Sequence, residues 1–121
     1  MADIPELIKI VIETLQDKKA ENLVVLDVRK LVPYTDYFII ATGNSATHVQ
    51  TLADAVGKLI KKPEEGLKTE NDPQANWLLI DGGDFVLHVF QPNARKFYAL
   101  EDLWEDANRV EIWKYKVSFL L

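Results

Sequence analysis

The sequence predicts one α/β domain in which helices pack against a mixed β-sheet. Segments with the helical period of apolar residues alternate with short β-branched runs, in the order helix, two strands, helix, two strands, helix. The chain has 121 residues, which suits one domain, and 48% of them are hydrophobic, as in ordinary globular proteins. Together these observations favour a layered α/β structure with a single core.

Composition and charge exclude several classes of function. The formal net charge is −5, whereas non-specific binding to nucleic acid needs a surplus of basic side chains. The chain has no cysteine, so disulfides, thiolate zinc sites and a cysteine nucleophile are excluded. The N-terminus lacks a basic segment before an apolar run, and no apolar stretch approaches the roughly 20 residues that span a bilayer. We therefore expect a cytoplasmic protein with no membrane partner.

The first half of the chain divides into four predicted elements. Apolar side chains recur with the helical period over residues 3–18, which predicts an amphipathic helix with Asp3 as its cap. β-branched runs predict strands over residues 23–28 and 37–42. A second helix follows, and the polar stretch 61–76 is predicted to be an exposed connector.

The turn Gly43-Asn44-Ser45 opens the second helix, and Asn44 or Ser45 is the expected cap. His48 lies three residues after Ser45, so the two side chains are within reach of each other. A serine nucleophile also needs a strained elbow, an oxyanion hole and an orienting acid, and none is visible. Phosphate binding at this turn is a weak hypothesis, because it rests on one glycine. Capping is the favoured role of Ser45.

Residues 77–81 and 84–90 predict two strands joined by a two-residue hairpin turn at Gly82-Gly83. The cross-strand pairs in this register are Trp77 with His88, Leu79 with Val86, and Asp81 with Asp84. Because side chains alternate along a strand, these pairs share one face of the hairpin. The other face carries Leu78, Ile80, Phe85, Leu87 and Val89.

The hairpin also contains the candidate chemical groups Asp81, Asp84 and His88. The two aspartates are expected to accept hydrogen bonds from turn amides, since a magnesium site would need a third acidic ligand that is not evident. His88 is interpreted as a half-buried side chain stacked against Trp77 in preference to a proton-transfer group. The hairpin is therefore predicted to shape a surface.

A third helix is predicted over residues 93–104, with Phe97, Leu100 and Trp104 spaced for burial. Arg95 and Lys96 lie near its expected start, where the helix dipole disfavours positive charge. Two interpretations of this basic pair stay open, a solvated pair beside a core helix and a partner surface. The gathering of aromatic and charged residues favours docking over catalysis.

Three motifs, taken in order, resemble one known family. The first is Asp36 to Ser45 followed by His48-Val49, and the second is Trp77 to Asp81 followed by Gly83-Asp84 and Val86 to Phe90. The third comprises Arg95, Phe97-Tyr98, Leu100-Glu101 and Leu103-Trp104. From about residue 4 to residue 112 the sequence resembles the RsfS, or Iojap, family of ribosomal silencing factors.

The resemblance implies a nucleotidyltransferase-like α/β fold without enzymatic activity, catalytic residues, metal or cofactor. It implies binding to ribosomal protein uL14 on the large ribosomal subunit, which sterically blocks joining of the small subunit and represses translation when nutrients are limiting. A minor contact with ribosomal RNA and a homodimer of the free protein are further expectations. The domain is expected over residues 1–112, and residues 113–121 form a C-terminal extension of unknown role. The resemblance implies these partner-binding residues: Trp77, Asp81, Asp84, His88, Arg95, Lys96, Tyr98 and Glu101.

The alternative hypothesis is a nucleotide-binding or nucleotidyltransferase enzyme that retains an ancestral activity. Such enzymes hold metal and nucleotide with two carboxylates at positions i and i+2 of a strand. The comparable strand here, Leu79-Ile80-Asp81, carries one acid. The residues therefore favour a binding protein over an enzyme.

Overall fold

The computed structural model describes residues 4–60, 67–68 and 74–112. In chain order the elements are α1 (Glu6–Asp17), β1 (Glu21–Asp27), β2 (Tyr37–Thr42), α2 (Ala46–Gly57), β3 (Leu67–Lys68), β4 (Trp77–Asp81), β5 (Phe85–Phe90), α3 (Pro92–Tyr98), α4 (Leu100–Leu103) and β6 (Asn108–Arg109). The predicted order of elements is confirmed through β5, the last predicted helix is divided into α3 and α4, and two short strands, β3 and β6, are added at the sheet edges. The predicted extension over residues 113–121 lies outside the described residues.

The strands form one six-stranded sheet in the order β3-β4-β5-β2-β1-β6. Strands β2 and β5 are parallel, from Tyr37 opposite Phe85 to Thr42 opposite Phe90, and the other neighbours are antiparallel. The predicted mixed sheet is therefore confirmed. The narrower expectation of a nucleotidyltransferase-like fold stays a prediction.

One face of the sheet lies beneath α1 and α2, and we call it the covered face. Its strand side chains Ile39, Ile80, Leu87 and Val89 have no exposed surface. They pack with the apolar stripes of the two helices, which are Ile8, Val11, Ile12 and Leu15 of α1 and Val49, Leu52, Ala53 and Val56 of α2. These aliphatic contacts form the main core.

The opposite face, the open face, is only partly covered. Phe38, Val86 and Phe90 are buried there against Leu100, but Trp77 and several neighbours keep part of their surface in solvent. Its cover consists of α3, α4 and residues near the start of β2. The second core is therefore smaller and opens to solvent along one side.

The expected cap is observed at α2. Ser45 caps α2, since its Oγ accepts a hydrogen bond from the backbone N–H of His48 at 3.1 Å. This prediction is confirmed. Helix α1 has Pro5 before its first residue, with no side-chain capping bond. Asp3, the expected cap, lies outside the described residues.

The predicted hairpin register is wrong by one residue, because the two turn residues are Gly83 and Asp84. Gly82 N–H donates to the Phe85 carbonyl at 2.8 Å, and Gly83 has φ +85°, which glycine adopts freely. Asp81 therefore pairs with Val86. A side chain at position 82 would also collide with the Phe85 ring.

In the observed register Leu79 lies opposite His88 and Trp77 lies opposite Phe90. Moving the turn by one residue shifts each cross-strand partner by two positions, so the predicted division between the two faces is retained. Leu78, Ile80 and Leu87 do belong to the covered face. The face assignment is confirmed although the pairing is not.

The predicted single helix over residues 93–104 is also wrong, since it is broken at Ala99. This residue adopts the left-handed conformation, with φ 46° and ψ 48°, and ends α3. The break redirects the chain, so that Leu100 is buried while Phe97, expected to be buried, is 80% exposed. Arg95 lies in the last turn of α3, where the helix dipole favours a positive charge.

Candidate docking surface

An open groove of about 430 Å³ runs along the open face between α4 and the segment that precedes β2. We call it the aromatic groove. Its lining is largely apolar, with Asp81 as the charged exception among the side chains that border it. The lining residues are Tyr34, Phe38, Trp77, Leu79, Asp81, Val86, His88, Leu100, Leu103 and Trp104.

The rings of this surface form a continuous series. Tyr98 packs on Trp77 with centroids 4.6 Å apart, and Trp77 lies 5.9 Å from His88. The His88 ring meets Phe38 edge-on at 5.5 Å, and Phe38 meets Trp104 at 5.1 Å. Tilted and edge-to-face pairs at these distances are the favourable arrangements for aromatic rings. The floor of the groove is therefore held by mutual ring contacts.

Large apolar side chains around the groove are left in solvent. Leu103 is 72% exposed and Tyr34 is 63% exposed, and both line the groove. Tyr98 is 46% exposed at the end of the ring series, and Phe97 lies against it at 5.0 Å. Exposed apolar patches of this kind mark interaction sites in otherwise soluble domains. The arrangement is suited to docking.

Exposed acidic side chains lie at the hairpin turn and around α4. Asp81 and Asp84 are exposed at the hairpin turn, where Asp81 Oδ1 accepts a hydrogen bond from Gly83 N–H at 2.9 Å. The predicted turn role is thus confirmed for Asp81. Asp102, Glu105 and Asp106 are exposed in α4 and just beyond it. This charge favours a basic partner surface.

His88 lies in the floor of the groove and is only 6% exposed. Trp77 Nε1–H donates to His88 Nδ1 at 3.2 Å, which confirms the predicted packing of the two residues, although His88 is more buried than expected. Burial lowers the pKa of His88 to about 4, because the charged ring would lose its hydration. At neutral pH the imidazole is therefore uncharged.

Arg95 and Glu101 form an internal clamp. The guanidinium group of Arg95 donates to both carboxylate oxygens of Glu101, at 3.2 and 2.8 Å, and to Thr42 Oγ1 at 2.8 Å. These hydrogen bonds lower the pKa of the Glu101 carboxyl below its ordinary value. The Arg95 side chain is 11% exposed, so its charge is directed inwards and joins α3, α4 and the end of β2.

The structure brings some of the predicted partner-binding residues together and separates others. Trp77, Asp81 and His88 line the groove, and Tyr98 packs at its end, with Asp84 in the adjacent turn. Arg95, Lys96 and Glu101 instead line a separate polar pocket beside β1. Their role in partner binding, like that of the groove residues, stays a prediction.

Sequence reasoning missed seven groove residues, which are Tyr34, Phe38, Leu79, Val86, Leu100, Leu103 and Trp104. Strand alternation was a usable signal for Leu79, since it shares a face with Trp77. For Leu103 there was none, because its position depends on the break at Ala99.

The alternative roles of the turn before α2 find no support in its hydrogen bonds. His48 Nδ1 accepts from Asn44 N–H at 2.9 Å, and Nε2 lies 2.8 Å from the Lys18 carbonyl oxygen. Both ring nitrogens are thus engaged with backbone, and neither is available as a base for Ser45. The Asn44 amide is likewise unavailable for a phosphate. Within the described ranges, no helix is long and apolar enough to cross a membrane.

Comparison with known proteins decides the family. A family model described as "Ribosomal silencing factor during starvation" matches residues 1–118. The chain belongs to this family. The protein named Ribosomal silencing factor RsfS from Halalkalibacterium halodurans is 40% identical over 110 residues, covering 88% of this chain and 92% of that protein.

A crystal structure of a protein from Chromobacterium violaceum is similar to this family member with a TM-score of 0.74 and 35% identity, covering 86% of this chain and 88% of that one. The mouse protein named "Mitochondrial assembly of ribosomal large subunit protein 1" is 31% identical over 101 residues, which are 80% of this chain and 44% of the mouse protein. These similarities extend over most of the described domain.

Proposed function

We propose that this protein represses translation by docking on ribosomal protein uL14 of the large ribosomal subunit, where its bulk prevents the small subunit from joining. The observation that carries the proposal is the aromatic groove, with Leu103 and Tyr34 exposed beside a buried floor. Membership of the ribosomal silencing factor family supplies the biological setting. The name of the mouse relative supports the large subunit as the partner.

The groove has the composition expected of a protein-binding surface. Interfaces concentrate affinity in a few aromatic anchors within an apolar centre, surrounded by polar side chains that exclude water. Trp77 and Tyr98 supply two neighbouring aromatic rings, and Leu103 adds an exposed apolar side chain. A standard interface buries about 800 Å² on each partner, which one face of a domain this size provides.

Charge supports the same kind of partner. The exposed carboxylates of Asp81, Asp84 and Asp102 favour a basic surface on the partner, and opposite charges speed the encounter. Association should therefore slow as salt concentration rises. Steric occlusion needs affinity and bulk but no chemical step, so the proposal requires no nucleophile or cofactor.

Co-sedimentation with purified large ribosomal subunits, followed by a subunit-joining assay, tests the proposal. Wild-type protein should sediment with large subunits and inhibit joining. Tyr98→Ala should reduce binding at least tenfold, since it removes an aromatic anchor. Ile10→Ala is the matched control, because Ile10 is a partly exposed apolar residue on α1, across the sheet from the groove. Equal loss of binding in both variants, or retained binding in both, would contradict the proposal that the groove is the binding surface.

A photo-crosslinking residue at position 103 tests the identity of the contacted protein. Leu103 is 72% exposed at the groove, so the substitution leaves the core intact. Crosslinking to uL14 is the expected result. Crosslinking to a different protein of the large subunit would support the large subunit as the partner but would refute uL14 as the contacted protein.

The same family resemblance leads us to propose that the free protein is a cytoplasmic homodimer and that ribosomal RNA makes at most a minor contact. Sedimentation equilibrium over a range of protein concentrations measures the oligomeric state. A single monomeric species at all concentrations would contradict it.

A further inference from the structure

We infer that His88 is a specificity-determining residue of the aromatic groove: it presents one N–H donor, at Nε2, and the partner segment that fills the groove must place a hydrogen-bond acceptor against it. The inference rests on the proposed function, and it adds the chemistry by which the groove recognises its partner. It follows from one hydrogen bond and from the surroundings of the imidazole ring.

The hydrogen bond with Trp77 fixes the tautomer of His88. An indole Nε1–H is a donor only, so the His88 Nδ1 that lies 3.2 Å from it must be an acceptor. A neutral imidazole whose Nδ1 is an acceptor carries its proton on Nε2. The indole of Trp77 therefore sets which nitrogen of His88 is the donor.

The donor at Nε2 is available to a partner. No described residue forms a hydrogen bond with it. In the described part of the chain, Gln16 Oε1 is the only side-chain polar atom of a residue not exposed to solvent that has neither a hydrogen-bond partner nor contact with solvent. His88 Nε2 also has no partner but does not belong to that class, so it must retain contact with solvent. His88 lines the groove, and the aromatic rings that pack against it are those of Phe38, Trp77 and Phe90. The open direction is the groove itself.

The second histidine of the chain shows the contrast. Both ring nitrogens of His48 are engaged with backbone groups, Nδ1 with Asn44 N–H and Nε2 with the Lys18 carbonyl. That side chain joins α1 to the start of α2. His88 has one nitrogen engaged and one open, which is the pattern of a group held in place for a further contact.

The chemistry of the partner follows from this geometry. An apolar side chain of the partner would fill the groove beside Leu103 and Trp104, and a carbonyl, amide or hydroxyl oxygen would meet His88 Nε2–H. Since the ring is neutral, the contact selects an acceptor without requiring a negative charge. A partner that covers His88 without an acceptor leaves a buried donor unsatisfied, which lowers affinity about 10- to 100-fold.

Two substitutions of His88 test the inference in co-sedimentation with purified large ribosomal subunits. His88→Phe keeps an aromatic ring but has no donor, and binding should weaken about 10- to 100-fold. His88→Gln places an amide N–H near the position of Nε2 and should recover most of the affinity. Thermal unfolding of each variant establishes that it is folded. If folded His88→Phe binds as wild type does, the inference is overturned.

Long-range ¹H–¹⁵N correlation spectra of the free protein test the tautomer directly, without any partner. Wild-type His88 should show a single Nε2–H form, and Trp77→Phe, which keeps a ring but lacks the N–H, should show a mixture. An Nδ1–H form in the wild type overturns the inference even if His88→Phe fails to fold. Failure of wild-type protein to bind large subunits would instead refute the proposed function, and the spectra distinguish the two failures.

Discussion

The two faces of the sheet are built from alternate residues of the same strands, yet they differ in chemistry. Ile39, Ile80 and Leu87 on the covered face are aliphatic and fully buried beneath two helices. Trp77 and His88 on the open face belong to an aromatic series that borders solvent. Aliphatic side chains fill the space between packed layers, whereas aromatic rings provide large contact areas with few rotamers to immobilise. The covered face maintains the fold, and the open face contains the aromatic groove that we propose as the binding surface.

The largest expected effect on stability is on the covered face. Leu87→Ala should lower the free energy of unfolding by about 2–5 kcal/mol, because the substitution leaves a cavity at a fully buried site. Leu79→Ala, on the neighbouring strand but on the partly exposed open face, should cost about 1 kcal/mol. Urea unfolding measures both values. Equal costs would show that the two faces contribute alike to stability.

The change in the free energy of unfolding with pH measures the contribution of His88. Its pKa is about 4 in the folded protein against an ordinary value of 6.5, so between these values the unfolded chain binds a proton that the folded chain does not. Stability from this group is complete above pH 6.5 and is lost as pH falls to 4, by on the order of 3 kcal/mol. For His88→Gln, the free energy of unfolding measured in urea should not fall in this way between pH 6.5 and pH 4. The same fall with pH in wild type and His88→Gln would contradict the prediction.

Removing the clamp between Arg95 and Glu101 has a smaller expected effect on stability. Arg95→Met loses the hydrogen bonds to Glu101 and Thr42 and should cost about 2 kcal/mol, whereas Lys96→Met, at an exposed neighbour, serves as the control. The lowered pKa of Glu101 means that its stabilising contribution is present above its ordinary value of 4.5 and is lost as pH falls through its folded value. Urea unfolding below pH 4.5 should therefore show less acid dependence in Arg95→Met.

The smallest expected change in stability occurs at the exposed margin of the groove. Leu103→Ser should alter the free energy of unfolding by no more than about 0.5 kcal/mol, since the side chain is largely in solvent. Binding to large ribosomal subunits should nevertheless weaken. A variant that loses stability but retains binding would reverse the roles assigned to the two faces.

The features that depend on local periodicity could be predicted from the sequence. Alternation along β4 and β5 assigned Leu78, Ile80 and Leu87 to one face, and the chemistry of Ser45 identified the cap of α2. The turn was misplaced because both Gly82-Gly83 and Gly83-Asp84 suit a hairpin. In the observed turn at Gly83-Asp84, a residue outside the hairpin also contributes a contact: Thr35 Oγ1 donates a hydrogen bond to the Gly83 carbonyl at 3.1 Å.

The composition of the groove was less accessible to prediction. Its outer wall depends on the left-handed conformation of Ala99, a residue type with no strong preference for it. Once the helix breaks there, Arg95 meets Glu101 and Leu103 reaches the groove. Partners six residues apart across such a break do not follow any helical spacing, so the clamp could not be anticipated.

The parallel pairing of β2 with β5 has a consequence for the order of folding. Strand β2 is fully buried and central, but its second neighbour begins only at Phe85, late in the chain. A nascent chain that has not reached Phe85 therefore carries an apolar strand with one edge unpaired, and such edges promote aggregation. Because the pairing is non-local, the sheet is completed slowly and late during synthesis. Premature termination before residue 85 should thus yield an aggregating fragment without a partial domain.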